Sequence, residues 1–299
     1  MAGDWHRKAA FCSRAWAVSL FVLSLPFLLG SSVRAQESPY FVTYSSALEE
    51  PGNLEISLKN VQGAPKFGNA FIGSAVEFEY GVLGWWTTEF YLDDQITFND
   101  SGLFTGFRWE NRFRLLPREH FINPVFYVEY ENLNVADRGL LEVVGHDSIA
   151  DLRIPNAAAR TEVEREMELK LILSSNVRGW NLSENFVAEK ELNETEPWEF
   201  GYAVGVSRPL SLVASGRSCL FCRENFAAGA EIYGGLSTAD DFGLTATSHY
   251  LGPTASFTIP RGPTIFFSPQ FGLNANSVGT LYRFSVSYEV QQLFHRKHF

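Results

Sequence analysis

The chain has 299 residues and a formal net charge of −10, with 45% hydrophobic and only 19% charged residues. Its 26 Phe, 11 Tyr and 7 Trp make it rich in aromatic side chains, while Cys (3) and Met (2) are scarce. This balance excludes a disordered chain or a coiled coil, argues against a nucleic-acid binder, which needs a basic face, and leaves too few thiols for a disulfide scaffold or a four-thiolate zinc site.

Residues 1–35 read as a secretory signal peptide. Arg7, Lys8 and Arg14 precede an apolar run from Ala15 to Gly30, and Ser31 to Ala35 supplies small residues before a cleavage point. The run is broken by Pro26 and falls short of the roughly 20 residues that a membrane-spanning helix needs. Cleavage would leave a domain over 36–299 with 20 Lys+Arg against 33 Asp+Glu, a net −13. No later stretch reaches the ~18 consecutive apolar residues that would predict a transmembrane helix.

The remainder alternates with period two and shows almost nothing at helical period. Twelve segments carry the pattern, near 54–62, 69–81, 83–92, 102–116, 121–131, 161–174, 177–191, 197–208, 224–236, 246–259, 264–274 and 280–293. Val76, Phe78 and Tyr80 alternate with Glu77 and Glu79; Phe107, Trp109, Phe113 and Leu115 alternate with Arg108, Glu110, Arg112 and Arg114. Each segment therefore has one apolar and one ionic face. Many reach the length of a strand tilted across a bilayer, about 9–11 residues, and their number is even. Connections support the same reading. Gly81 to Gly84, Pro117 to His120, Ser174 to Asn176 and Pro260 to Pro263 are short and fall at one parity, whereas 132–160, Asp93 to Ser101 and Leu236 to Thr245 fall at the other. Only 209–223 is long on the short side. Trp85, Trp86, Trp109, Trp180 and Trp198 lie in or beside the predicted strand ends, as an interfacial girdle would. The expected fold is all-β: a single antiparallel transmembrane β-barrel of about twelve strands.

Charged residues on the polar face must then line the lumen, because Arg or Lys facing lipid at midplane costs about 2–4 kcal/mol. Parity places Glu77, Glu79, Glu89, Glu110, Glu129, Glu131, Glu164, Glu166, Glu168, Glu189, Glu199, Glu231 and Glu289 there, with Arg108, Arg112, Arg114, Lys170 and Arg283. Two readings stay open: a path that prefers cations, since carboxylate rings favour them, or a salt-bridge network filling a narrow barrel. The row Glu162-x-Glu164-x-Glu166-x-Glu168 spaces carboxylates about 6.8 Å apart along one strand face. It could attract a divalent cation, but pairing with Arg108, Arg112 and Arg114 is the favoured reading, so no metal is expected.

Cys219-Leu220-Phe221-Cys222 is followed by Arg223, so it lacks the His of a haem attachment site, and it lies outside a βαβ context. In an exported chain it reads as a disulfide pinning 209–223. Ser248 and His249 are adjacent, hence on opposite faces of a strand, and no G-x-S-x-G occurs. No enzyme and no cofactor are expected. Gly201, Ala203 and Gly205, with Ala227 and Gly229, would leave room along the inner wall, or admit a plug or ligand, or relieve crowding at a bend.

The alternating pattern over most of 36–299 resembles bacterial outer-membrane β-barrel proteins, and its strand layout looks like the porin-like barrels grouped with phenol-degradation pathways. Phe299 looks like the terminal aromatic recognised by the barrel-assembly machinery, although the even parity of Phe284, Val286, Tyr288 and Val290 points to Phe294 instead. The resemblance implies the outer membrane as location, and lipid, the assembly machinery and small solutes as partners. Its expected function is a channel or transporter for small solutes through a charge-lined lumen. The alternative is a non-conducting structural or ligand-binding barrel acting through the loop 132–160.

Overall fold

The computed structural model describes residues 39–66, 68–139, 151–213 and 219–293. Twelve strands follow in order: β1 Leu54–Gly63, β2 Phe71–Leu83, β3 Trp86–Thr97, β4 Gly102–Arg114, β5 Asn123–Asn134, β6 Val163–Val177, β7 Trp180–Glu191, β8 Glu199–Pro209, β9 Phe226–Thr238, β10 His249–Thr258, β11 Thr264–Gly272 and β12 Thr280–Val290. Each pairs antiparallel with its sequence neighbours, and β12 returns to β1, so the sheet closes into a barrel. Closure leaves no unpaired edge, which is what lets strands cross a bilayer.

Every predicted segment corresponds to one strand, but several boundaries move. The turn placed at Ser174 to Asn176 lies three residues later: β6 continues to Val177, which pairs with Trp180 across Arg178 and Gly179. Both central residues have positive φ, 51° and 82°, the geometry of a two-residue hairpin turn whose twist matches the strands. Asp93 to Thr97, read as the start of a loop, belong to β3, because Asp93, Gln95 and Thr97 continue its inward alternation and are buried. Trp109 is not at a strand end. It sits mid-strand on the outer face, and its indole N–H donates to Thr88 Oγ1 at 3.0 Å, a local partner where lipid offers none. The connection over 210–225 is long, as its sequence indicated.

The burial pattern is inverted relative to a soluble sandwich. Phe78, Phe90, Trp109, Phe126, Phe186 and Phe267 point outward and are exposed, whereas Glu77, Glu89, Glu110, Arg108, Arg112 and Lys170 are buried inside. An apolar outer band over an ionic interior is the architecture of an outer-membrane β-barrel. Among the described residues no helix is long and apolar enough to cross a membrane. The leader expected at 1–35, the terminal residues Phe294 and Phe299, and 140–150 of the long loop lie outside the described residues.

One end of the barrel carries the connections 84–85, 115–122, 178–179, 210–225 and 259–263; it is called the short-turn end below. The opposite end carries the long loop. There Arg138 donates its backbone N–H to Gln95 Oε1 at 2.8 Å, and Asn156, in a single helical turn, binds Thr97, Asp100 and Ser101. Leu152 joins the buried cluster of Val61, Phe71 and Leu281. Both described ends of this loop therefore fold inward over the mouth.

Candidate functional site: the lumen

Strand register organises the inner wall. Glu289, Glu55, Glu79, Glu89, Glu110, Glu129, Glu168, Glu189 and Glu199 stand directly opposite one another on successive strands from β12 through β1 to β8. Glu55 lies next to the start of β1 at the short-turn end, while Glu199 opens β8 at the long-loop end. Because barrel strands tilt against the axis, this row climbs the wall as a spiral of carboxylates joining the two mouths.

Like charges directly opposite destabilise a sheet, and bases beside the row offset them. Arg112 holds three of its members: Nη2 lies 2.5 Å from Glu79, Nε 3.1 Å from Glu110, and the guanidinium also pairs with Glu89. Arg108 bridges Asp93 at 3.2 Å and Glu129 at 3.1 Å. Lys170 binds Glu168 at 2.7 Å, and Lys59 binds Glu77 at 2.6 Å. Tyrosines complete the network. The Tyr91 hydroxyl lies within hydrogen-bonding distance of Glu77, Glu89 and Glu110 beneath Arg108, and Tyr127 donates to Glu129 beneath Lys170.

A segment before β1 crosses the lumen. Tyr40 donates its hydroxyl to Asn181 Oδ1 at 2.9 Å, and the backbone N–H groups of Phe41, Val42 and Thr43 all point at the Glu231 carboxylate, at 3.1–3.3 Å. Tyr44 exchanges hydrogen bonds with the Asn185 amide and donates its hydroxyl to Glu110 at 2.9 Å. Burial, and then the charge of Glu110, push the Tyr44 phenol well above its ordinary pKa, so it remains a donor. The segment then accepts from Arg112 at the Ala47 carbonyl, donates from Glu49 N to Thr87, and leaves beside Gly81. Small residues admit it: a Cβ on Gly205 would lie 2.6 Å from the Tyr40 ring, and Ala203 packs with Val42. At Gly205 and Ala203 the small-residue wall therefore admits a plug, 39–49, whereas a Cβ on Gly229 would meet the Val206 carbonyl oxygen, Ser207 and Thr254 of the neighbouring strands, so there it relieves crowding.

Two cavities flank the segment, about 190 Å³ and 110 Å³ in volume. The larger is lined by Glu129, Glu131, Glu164, Glu166, Glu168 and Glu189 together with Lys59, Arg108, Lys170 and Arg283. The smaller lies against Glu55, Glu77, Glu79, Glu89 and Arg112.

Of the residues singled out by sequence, Glu77, Glu79, Arg108, Glu110, Arg112, Glu129, Glu168, Lys170 and Arg283 are buried in the lumen. Glu164 and Glu166 face inward and are half-buried; Arg114 and Glu289 are half-buried at the short-turn mouth. The acidic row of β6 is not a unit. Glu162 precedes the strand and is exposed. Glu168 is held by Lys170 of its own strand rather than by an arginine, since Arg108 and Arg112 are committed to carboxylates of β2 to β5. Among the described residues, the triplets whose carboxylate oxygens approach within 4.8 Å are Glu77–Glu79–Glu89 and Glu129–Glu131–Glu168, each drawn from two adjacent strands. Cys219 and Cys222 are joined, with their Cα atoms 5.4 Å apart. His249 stacks on Tyr202, with Nδ1 3.1 Å from its hydroxyl and Nε2 2.7 Å from the Leu244 carbonyl, in a structural setting at the long-loop end.

Sequence reasoning missed Glu55, Lys59, Asp93 and the whole lumenal segment. Glu55 and Lys59 were recoverable, since they alternate with Ile56 and Leu58. The segment has no periodicity, and the small residues facing it were its only trace.

No protein-family model matches the sequence, and neither does any of the curated proteins. Solved structures with a similar trace include the KdgM porin, at 9% identity and TM-score 0.47, covering 78% of this chain and 98% of that one. An outer membrane channel from Pseudomonas putida F1 aligns at 9% identity and TM-score 0.49, covering 81% and 96%. The CymD monoaromatic hydrocarbon channel aligns at 9% identity and TM-score 0.43, covering 84% and 90%.

Proposed function

We propose that this barrel is a passive outer-membrane channel for small solutes, with a preference for cations. The observation that carries the reading is the spiral of cross-strand carboxylates from Glu289 and Glu55 to Glu199, which runs from one mouth to the other. Each carboxylate is within reach of the next, and the bases beside the row are fixed by ion pairs, so a small cation can pass between neighbouring sites. Solutes enter past the inward-folded long loop, and the segment 39–49 is the resident constriction. Residues 1–35 act as the export leader, and the barrel-assembly machinery inserts the mature chain. No covalent chemistry is involved.

The lumenal segment favours a second reading, a closed barrel whose network is purely structural. Planar-bilayer recording under a salt gradient separates the two. The expected result is a small conductance with a cation-selective reversal potential, larger when residues 39–49 are deleted and less selective in Glu110→Gln/Glu129→Gln. Silence in both the full and deleted forms supports the closed barrel, and an anion-selective potential removes the cation reading.

A further inference from the structure

The connection 210–225 is the one long excursion at the short-turn end, and its described residues take no part in the lumenal network. Its described residues are apolar where they are most exposed: Val213 and Phe221 are each 75% accessible, and Leu210, Leu212 and Leu220 are also exposed. Two of these side chains, Phe221 and Leu212, are tied back to the barrel. The Cys219–Cys222 disulfide closes a short ring around Leu220 and Phe221. The Phe221 ring stacks on Phe257 at 5.9 Å and 9°, and Phe257 stacks on Phe226 at 4.7 Å. Phe226 and Phe257 are cross-strand partners pointing outward from β9 and β10, so Phe221 extends the lipid-facing surface past the strand ends. On the other side Leu212 lies against Gly179 of the β6–β7 turn.

Charge along the same rim is unlike that of the chain as a whole. Arg178, Arg208, Arg223 and Arg261 are all exposed there, in a protein of net charge −10, with Glu224 the acidic residue of the loop. Arg208 points outward from the end of β8, with its guanidinium 5.5 Å from the Trp180 ring, a pairing suited to the membrane–water boundary, where the ring meets acyl carbon and the cation meets headgroup oxygen.

We propose that the rim from the β6–β7 turn to the β10–β11 turn, carrying the disulfide-closed loop, is a seat for an anionic phospholipid. Leu212, Val213, Leu220 and Phe221 enter the interfacial layer, continuous with the apolar belt through Phe226 and Phe257. Arg208 and Arg223 meet the phosphate, which a planar guanidinium can hold with two hydrogen bonds. A single acidic lipid is favoured over a protein partner because Phe221 continues through Phe257 and Phe226 into a surface already facing lipid.

The full chain carrying Phe221→Trp, reconstituted in phosphatidylcholine vesicles, tests the seat. Its added emission, taken as the difference from the parent protein, should be blue-shifted, shielded from iodide, and quenched by lipid brominated near the headgroup. Brominated phosphatidylglycerol at equal mole fraction should quench it several-fold more than brominated phosphatidylcholine, and Arg208→Gln/Arg223→Gln should abolish that difference. Heat-modifiable gel mobility verifies that each variant forms the barrel. Iodide-accessible emission unaffected by brominated lipid would overturn the proposal and mark the loop as a water-facing surface for a protein or a second copy. Equal quenching by both lipids would overturn the headgroup assignment.

Discussion

The inner faces of β1 to β7 and of β9 to β11 are built from different material. The first is ionic: every strand carries an inward Glu, cross-paired in register, with Lys59, Arg108, Arg112 and Lys170 between them and Tyr91 and Tyr127 interleaved. The second is largely neutral: Ala227, Gly229, Gly252, Thr254, Ser256 and Ser268 stand beside Tyr233, Tyr250, Phe266 and Gln270, with Glu231 its only acidic side chain among the described strands. The lumenal segment spans the two and binds each differently. On the neutral wall three successive backbone amides converge on one carboxylate, whereas on the ionic wall its contacts are scattered: the Tyr44 phenol on Glu110, the Ala47 carbonyl on Arg112, and single amides on Asn185 and Thr87. A peptide chain needs room and partners for its own N–H groups, and the neutral wall with Glu231 provides both. Density of charge is therefore a poor guide to where the segment is held.

The comparison is broken most severely at Arg112. Replacing it by Met leaves Glu79, Glu89 and Glu110 without their shared cation in a buried setting, and stripping one partner from such a cluster typically costs about 3–5 kcal/mol. Urea unfolding in lipid vesicles should show a loss of that order, with heat-modifiable mobility disappearing at lower temperature. A loss no larger than the ~1 kcal/mol of an exposed pair would mean that the ionic wall is as tolerant as the neutral one.

A smaller effect, and one confined to the segment, is expected on the neutral wall. Glu231→Gln keeps the shape but exchanges charge-assisted hydrogen bonds for neutral ones, a difference of about 1–2 kcal/mol. The barrel should unfold nearly as before, while chymotrypsin cleaves more readily at Tyr40, Phe41 and Tyr44. Gly205→Leu should reach the same end by bulk, since its side chain claims the volume of the Tyr40 ring. If either change destabilised the barrel as much as Arg112→Met without exposing the segment, the division of labour between the walls would be wrong.

These two walls also explain what was legible in the sequence. Alternation is a one-dimensional signal, so Glu77, Glu110, Glu129 and their neighbours could be assigned to the lumen residue by residue. Register is not one-dimensional. That Glu55, Glu79, Glu89 and Glu110 fall in one row depends on where each hairpin turns, and a turn such as Arg178–Gly179 differs from its neighbours by a few residues. The segment 39–49 was invisible for a further reason: its contacts lie up to 190 positions away, as between Phe41 and Glu231, and its conformation follows the cavity rather than any local propensity. Trp109 was misplaced because its indole N–H, which normally seeks the interface, is satisfied by Thr88 one strand away.

The smallest expected effect separates position from type. Arg114 follows Arg112 on the same face of β4, and the sequence gives no reason to rank them. Arg112 sits among three carboxylates, whereas Arg114 is half-buried at the short-turn mouth, where its guanidinium reaches the Ser46 carbonyl at 3.5 Å. That contact lies at the limit of a hydrogen bond and faces solvent on one side. Arg114→Gln should therefore change unfolding free energy by no more than about 0.5 kcal/mol and leave chymotryptic cleavage of the segment unaltered. Reversal potential should become slightly more cation-selective, because one base is removed from a mouth that opens onto Glu55 and Glu289. A loss approaching that of Arg112→Met would show that the arginines act through the summed field of the lumen and not through the individual clamps in which each is held.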